Sequence, residues 1–234
     1  MKQKSEVIYY ILLSIIAVFL LLVLIYFASS KTVIIDFYDR LLVGGLFIVC
    51  CLFGISLAVY PSWYKKILKI SKNNLNKKKD KKVLRKRKGH HPDCDQFKNH
   101  VIRLNNKVLC TGCLGLAIGS IISVFLMLIY LAFASGKTST MFYSLVILGL
   151  IMIAVNFVEI MFPLRQRAVH IFSNVLIVVG FLLIIIGIFE ITGSKTYAIT
   201  SIIFSYLWLF TRIQLSHQRH SLICSSCSKK CKMY

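Results

Sequence analysis

Long apolar runs alternate with polar segments along almost the whole chain. Six runs rich in Leu, Ile, Val and Phe have about 20 residues each, which is enough to cross a hydrocarbon core. Helices are the expected spanning element, because lipid offers no partner for unpaired backbone groups. The predicted spans are residues 7–28, 41–60, 114–134, 141–162, 170–190 and 196–214. The predicted fold class is therefore an all-α integral membrane protein with six transmembrane helices.

The polar segments divide the chain into four regions. A first transmembrane hairpin (1–60) leads into a basic loop (61–113), then four further spans (114–214) and a polar tail (215–234). Residues 1–30 also resemble a secretory signal, with lysines before the apolar run. That run is longer than the roughly 7–15 residues of a removable signal. We therefore expect an uncleaved first helix.

The positive charge of the chain is distributed unevenly. Lysine and arginine number 29 against 8 acidic residues, which gives a net charge of +21. All of these cations except Lys31, Arg40, Lys137 and Lys195 lie on one side of the predicted spans, counting Arg212 at the end of the sixth. Cytoplasmic loops of membrane proteins carry the excess of cations. The sequence thus predicts a multi-pass protein of the cell membrane with both termini and the basic loop in the cytosol.

The basic loop carries most of its cations between Lys65 and Lys88. Each cation near an anionic leaflet contributes about 1 kcal/mol of attraction, so the expected partner is the anionic lipid headgroup. No aromatic residue interleaves the run from Lys77 to Lys88, and no nucleic-acid-binding fold is visible. The sequence disfavours a nucleic-acid partner and leaves a protein partner open.

Cysteine and histidine concentrate in the two cytosolic segments. The basic loop contains an H-x-x-C hook and a C-x-x-C hook separated by fifteen residues, the spacing of zinc ribbons and knuckles. Zinc takes four ligands tetrahedrally, and each hook supplies two. The predicted ligands are His91, Cys94, Cys110 and Cys113, with His100 as the alternative histidine. Between the hooks we expect a small metal knuckle, in which a strand or short helix turns at 104–107 and returns.

The tail carries a second array, H-x-x-H-x-x-x-C-x-x-C-x-x-x-C. Its predicted ligands are His220, Cys224, Cys227 and Cys231, with His217 as the alternative. The array forms a site of its own or donates ligands to the first cluster, since the predicted topology puts both on one side. An iron–sulfur cluster would also use cysteine thiolates, but the spacing matches no standard ferredoxin. Zinc is therefore the expected cofactor.

Polar residues also lie at the ends of the spans. The candidates for a polar site at the inner leaflet are Glu159, Arg165, Arg167 and His170. A carboxylate in a membrane is costly and suggests function, but an ion pair between Glu159 and either arginine would give it a structural role; both interpretations stay open. Glu190, at an outer end, is expected to be solvated. Cys50 and Cys51 are expected to act as small hydrophobic residues.

The string from Cys110 to Gly119, CTGCLGLAIG, resembles the C-x-x-C-x-G-x-x-x-G signature of an uncharacterised prokaryotic family of multi-pass membrane proteins. In that family a cysteine-containing loop leads into a transmembrane helix. The resemblance covers about 30 residues, including Cys94 and Phe97. The family has adjacent Cys-His in the upstream element, whereas here His90 and His91 precede Cys94. The resemblance implies a membrane protein without an assigned activity.

Three functions compete at this stage. The nucleotide-binding and hydrolase motifs of common soluble enzymes are missing from the sequence. The expected function is a membrane protein that binds zinc through its cytosolic clusters and has a scaffold or interaction role. The alternatives are a membrane enzyme that uses the metal or a C-x-x-C thiolate at the inner leaflet, and a metal transporter or sensor. A transporter would need polar groups at the bilayer midplane, and these spans offer few.

Overall fold

A computed structural model describes residues 2–28, 35–59, 100–104, 107–133, 139–162 and 166–225. These residues form six long helices and a two-stranded β-hairpin. The helices are α1 (Lys2–Ala28), α2 (Phe37–Val59), α3 (Thr111–Phe133), α4 (Ser139–Met161), α5 (Arg167–Thr192) and α6 (Lys195–Ser225), and the strands are β1 (Val101–Leu104) and β2 (Lys107–Cys110). All six helices are long and apolar enough to cross a membrane. The prediction of six membrane-spanning helices is confirmed by length and composition.

Helix α5 lies at the centre of the bundle. Its span is 67% buried within the protein, against 22% for α1, α2 and α3, and it packs mainly against α4 and α3. The other helices expose large apolar side chains on their outer faces, among them Phe19, Phe125 and Ile147. Exposed apolar surface of this extent suits contact with lipid rather than with water.

Small residues allow α5 to approach its two main neighbours closely, as is common where helices pack in membranes. A Cβ built on Gly180 of α5 would lie 2.8 Å from the carbonyl oxygen of Gly149 in α4. A Cβ built on Gly115 of α3 would lie 2.5 Å from the carbonyl oxygen of Ile171 in α5. Neither position has room for a larger residue unless the helices separate.

A tight turn connects α5 to α6. Gly193 adopts a left-handed conformation with φ of 58°, and its amide donates a hydrogen bond to the Phe189 carbonyl at 2.7 Å. Only glycine adopts this conformation without steric cost. Helix α6 begins two residues later, at Lys195, so α5 and α6 form a helical hairpin.

The β-hairpin lies at one end of the bundle, which we call the hairpin end. Strands β1 and β2 pair antiparallel, with Val101 opposite Cys110 and Leu104 opposite Lys107. Of the two alternatives predicted for this segment, a strand or a short helix, the structure has the strand, and β2 returns beside it. Helix α6 ends at this same end and continues to Ser225, well beyond the predicted limit at residue 214. The extension places His217 and His220 on a continuous helix.

Helix α1 joins the bundle mainly through α6. The hydroxyls of Ser14 and Thr211 lie 2.8 Å apart, and the indole of Trp208 donates to the Ser14 carbonyl at 3.2 Å. Tyr10 packs edge-on against Phe210, with ring centroids 5.1 Å apart. The first and last helices are thus fastened together by polar and aromatic contacts.

The end opposite the hairpin carries its own ionic contacts. Arg40 Nη2 lies 3.3 Å from Glu190 Oε1, and the Tyr130 hydroxyl donates to the same oxygen. Lys195 and Asp39 form a second pair at 2.9 Å. The expectation that Glu190 is solvated is wrong, because its side chain is only 10% exposed and is paired with Arg40. These contacts join α2 to the α5–α6 hairpin.

Candidate functional site

The C-x-x-C hook lies where β2 passes into α3. Cys110 is the last residue of β2, and Cys113 lies in the first turn of α3. The two side chains are within hydrogen-bond distance of each other. The Thr111 hydroxyl donates to the His100 carbonyl at 3.3 Å, which fixes the start of β1 to the start of α3. The hairpin therefore holds both thiols at one end of the bundle.

A buried arginine from α6 lies beside the thiols. Arg212 is 9% exposed and is an electrostatic neighbour of Cys110, Cys113 and Glu159. A Cβ built on Gly112 would lie 3.3 Å from Arg212 Nη2 and 3.7 Å from Cys110 Sγ. The guanidinium thus packs directly over the backbone between the two cysteines. Its Nε has no hydrogen-bond partner among the described residues.

Three imidazoles from distant parts of the chain meet at the same end. The ring of His100 lies 4.7 Å from that of His170 in α5 and 5.4 Å from that of His220 in α6, measured between centroids. His170 and His220 are almost fully buried, at 8% and 7% exposed. His100 precedes β1, so the hairpin inserts an imidazole between two helices.

A polar network joins α4 to α5 beneath these rings. His170 Nδ1 lies 2.7 Å from Glu159 Oε1, although that oxygen receives no well-aligned hydrogen bond from any described residue. The distance is short and both groups are buried, so the contact is an ion pair whenever His170 is protonated. Ser173 Oγ donates to Glu159 Oε2 at 3.5 Å and accepts from Asn156 Nδ2 at 2.7 Å.

Arg219 closes the polar end from α6. Its Nη1 donates to the carbonyl of Ile160 in α4 at 2.7 Å, and it is an electrostatic neighbour of Glu159. Two arginines of α6, Arg212 and Arg219, therefore face one carboxylate of α4. Among the described residues that line the polar end, these two arginines outnumber the one carboxylate before any histidine is protonated.

These groups line a cavity of about 450 Å³ that extends from the hairpin end into the bundle. Its polar lining includes the two thiols of the C-x-x-C hook, four histidines, two arginines and Glu159. Its apolar lining comes from α2, α3, α5 and α6, and includes Phe47, Leu57, Val178, Phe181 and Leu209. A volume of this size is within the range of about 300–1,000 Å³ for small-molecule sites.

Several predicted site residues come together around this cavity. The residues that do so are Cys110, Cys113, His100, Glu159, His170, His217 and His220. Arg167 is exposed at the start of α5 and does not line the cavity. Glu159 therefore meets His170 rather than Arg167, and Arg165, the other arginine that the sequence offered it, lies outside the described residues.

Other predicted ligands cannot be placed. His91, Cys94, Cys227 and Cys231 lie outside the described residues, as does the side chain of Cys224. Within the described part of the chain, no group of three or more His, Cys, Asp or Glu side chains is arranged to hold a metal ion. The thiols and imidazoles are suitable donors for zinc, but the described residues alone do not complete a set of ligands.

Arg212 and Arg219 line the cavity, but neither was predicted from the sequence as a member of the site. The available signal was the position of Arg212 inside the sixth apolar run, because ionisable residues within membrane spans are usually functional. Cys50 and Cys51 were expected to be simple packing residues, and both line the cavity. Cys50 contacts the Tyr206 hydroxyl, and Cys51 is buried near Ser120.

Comparisons with known proteins return nothing. No family model, no curated protein and no solved structure matches the chain. The resemblance of residues 110–119 to an uncharacterised membrane-protein family therefore stays a prediction. Function has to be inferred from the geometry and chemistry of this molecule.

Proposed function

We propose that this chain is a multi-pass protein of the cell membrane that binds zinc at the hairpin end and serves as a scaffold or interaction protein. One observation carries the proposal: the Cys110 and Cys113 thiols touch each other at the end where His100 meets His170 and His220. Sulfur and imidazole nitrogen are the donors that zinc prefers. These groups come from β2, α3, α5 and α6 and from the residue that precedes β1.

The proposed ligand set combines described and undescribed residues. Cys110 and Cys113 supply one hook, and His91 and Cys94 supply the other, with His100 as the alternative histidine. Structural zinc sites use four protein ligands, so the second hook has to close the site from outside the described residues. The tail array, His220 with Cys224, Cys227 and Cys231 and with His217 as the alternative, forms a second site or contributes to the first.

The side of the membrane follows from charge. The positive-inside rule places the hairpin end in the cytosol, because the basic loop and the basic tail both adjoin it. Cytosolic thiols are kept reduced, which favours metal binding over a structural disulfide. Cations between Lys65 and Lys88 would then hold the loop against anionic headgroups. The zinc site would join the loop to the ends of α3 and α6 and present a basic surface to lipid or to a protein partner.

Zinc content measured on purified protein tests this proposal. Replacing Cys110 and Cys113 by Ser removes two proposed ligands, so we expect the variant to contain at least one zinc ion per chain fewer than the wild type in elemental analysis by mass spectrometry. Limited trypsin digestion should cut within residues 89–113 faster in this variant, because the metal no longer ties the two hooks together. The six helices should remain inserted, with an unchanged far-UV circular dichroism spectrum.

The chain offers a matched control. Cys50 and Cys51 also form a close cysteine pair beside the same cavity, but they lie on α2. Their replacement by Ser should leave the zinc content and the tryptic pattern as in the wild type. Equal zinc in the wild type and in the Cys110/Cys113 variant would contradict the proposal.

A membrane enzyme is the second candidate, and one observation favours it. The cavity connects the thiols at the hairpin end with apolar surface between α2 and α6, so a lipid-borne substrate could reach them.

Oxidation of the Cys50/Cys51 variant with hydrogen peroxide tests this candidate. The peroxide would convert two thiols to a disulfide and water, and a gel shift with maleimide–polyethylene glycol would count the remaining thiols. A structural zinc site protects Cys110 and Cys113 until a chelator is added, whereas a redox site reacts without one.

A further inference from the structure

The cavity is long and changes character along its length. On α6 its lining runs from Ile202 to His220, which is about 27 Å at 1.5 Å per residue. The lining of α6 is mainly apolar or hydroxylic up to Leu209 and becomes cationic and imidazole-rich from Arg212 onward. The cavity is therefore amphipathic along its axis, with its polar part at the hairpin end.

The apolar part has no charged side chain among the described residues that line it. It is formed by Phe47, Gly54 and Leu57 of α2 together with Phe181 and Ile185 of α5. Surface of this kind binds hydrocarbon by removing apolar area from water or by replacing lipid. An occupant of this part has to be an apolar chain or ring.

The polar part contains a charge without a complete set of partners. Only 9% of Arg212 is exposed, and its Nε has no hydrogen-bond partner among the described residues. A buried guanidinium without an anion in direct contact is costly. Glu159 attracts Arg212 electrostatically but makes its close contact with His170, so no carboxylate of the described residues touches the guanidinium, and an anion can do so.

We propose that the cavity binds an amphiphile with a single apolar chain and a compact anionic head, carboxylate or phosphate, placed on Arg212. Guanidinium binds both kinds of head through two parallel N–H donors. Arg219, on the same face of α6, adds positive potential at the head. The chain extends between α2 and α6 toward the middle of the bundle. This proposal does not require the zinc site, because Arg212 is not a metal ligand.

Photolabelling of the full-length protein tests this proposal. The probe is a palmitic acid analogue with a diazirine near the end of its chain, added to protein in phosphatidylcholine nanodiscs. We expect labelling of peptides 47–58 and 202–209, mapped by mass spectrometry, and suppression by excess palmitate. The methyl ester of the probe should label these peptides at least about tenfold less than the acid does. The ester has no carboxylate charge for the guanidinium to bind.

Two variants examine the two ends of the site. Arg212→Gln removes the charge and should lower cavity labelling by about tenfold or more. Gly54→Leu places a side chain in the apolar part, where a Cβ would have only Ser120 Oγ nearby at 3.9 Å. Gly45→Leu is its control on the same helix, because a Cβ there meets nothing within 4 Å. Labelling should fall in Gly54→Leu and persist in Gly45→Leu.

The outcomes separate this proposal from its rivals. Equal labelling by the acid and its methyl ester, or labelling unchanged in both Arg212→Gln and Gly54→Leu, would overturn it. Displacement of the probe by inorganic phosphate but not by palmitate would also overturn it, since the ligand would then be a free anion. Zinc measured on the same samples distinguishes this proposal from the proposed zinc site. Loss of labelling in Arg212→Gln with zinc retained supports the amphiphile site. Labelling of samples that all lack zinc contradicts only the zinc site.

Discussion

The close approach of α3 to α5 at Gly115 makes a quantitative prediction. In Gly115→Ala the new Cβ would lie 2.5 Å from the Ile171 carbonyl oxygen and 2.7 Å from Asn174 Cβ. Neither obstacle is the end of a flexible side chain, so α3 has to move away from α5 by at least about 0.5 Å. Cys113 lies two residues before Gly115, and the movement also shifts the thiols relative to Arg212.

Two opposing effects determine the stability of this variant. Overpacking of a well-packed interior costs about 1–3 kcal/mol. Replacing glycine by alanine inside a helix returns up to about 1 kcal/mol. The matched variant Gly45→Ala gains the second effect alone, because a Cβ at Gly45 meets nothing within 4 Å. The difference in unfolding free energy between the two variants therefore isolates the overpacking, and we expect Gly115→Ala to be less stable by about 1–3 kcal/mol.

Unfolding in mixed micelles of a mild detergent and SDS measures this difference. Trp208 is 1% exposed and reports unfolding by fluorescence when the other tryptophan of the chain, Trp63, is replaced by Phe. Gly115→Ala should unfold at a lower SDS fraction than Gly45→Ala. If the two variants unfold together, or Gly115→Ala is the more stable, the inferred close contact between α3 and α5 is wrong.

Two further stability predictions concern polar contacts between helices. Glu159→Gln should lower the unfolding free energy by about 3 kcal/mol, because His170 loses the partner of a buried pair. A double-mutant cycle with His170→Gln should give a coupling energy of about 0.5–3 kcal/mol. Strictly additive effects of the two substitutions would argue against the pair. Ser14→Ala should cost about 0.6 kcal/mol, up to about 1.7, since it removes the contact with Thr211 between α1 and α6. Ser56→Ala, which removes only an exposed bond within α2, should leave the SDS midpoint unchanged.

The spans could be predicted because an uninterrupted apolar run of this length has few alternatives. The end of α6 could not be set by hydropathy, because the residues after 211 are mostly polar while the helix continues. Arg212 and His220 are buried there, at 9% and 7% exposed, since they line a cavity inside the protein. A hydropathy pattern records the polarity of a residue, but it does not show whether that residue faces lipid or the interior of the protein.

The candidate site shows the same limit for pairs of residues. The C-x-x-C spacing alone placed Cys110 and Cys113 together, because only two residues lie between them. The partner of Glu159 depended on the rotation of α5 relative to α4, which no spacing specifies; its close contact is with His170, while Arg212 and Arg219 of α6 add positive charge nearby. The meeting of His100 with His220 required the path of a chain segment 120 residues long, and only the three-dimensional structure provides it.

The fastening of α1 to α6 has a consequence for the biogenesis of the protein. Ser14 and Thr211 are 197 positions apart, so α1 leaves the ribosome well before α6, the helix that it mainly contacts. During synthesis the nascent α1 stays in the bilayer without its main partner while the intervening segments are inserted. The packing of α1 against α6 consequently forms only after α6 is inserted, and a chain stopped before α6 would leave α1 without its main partner, a state that membrane quality control could detect.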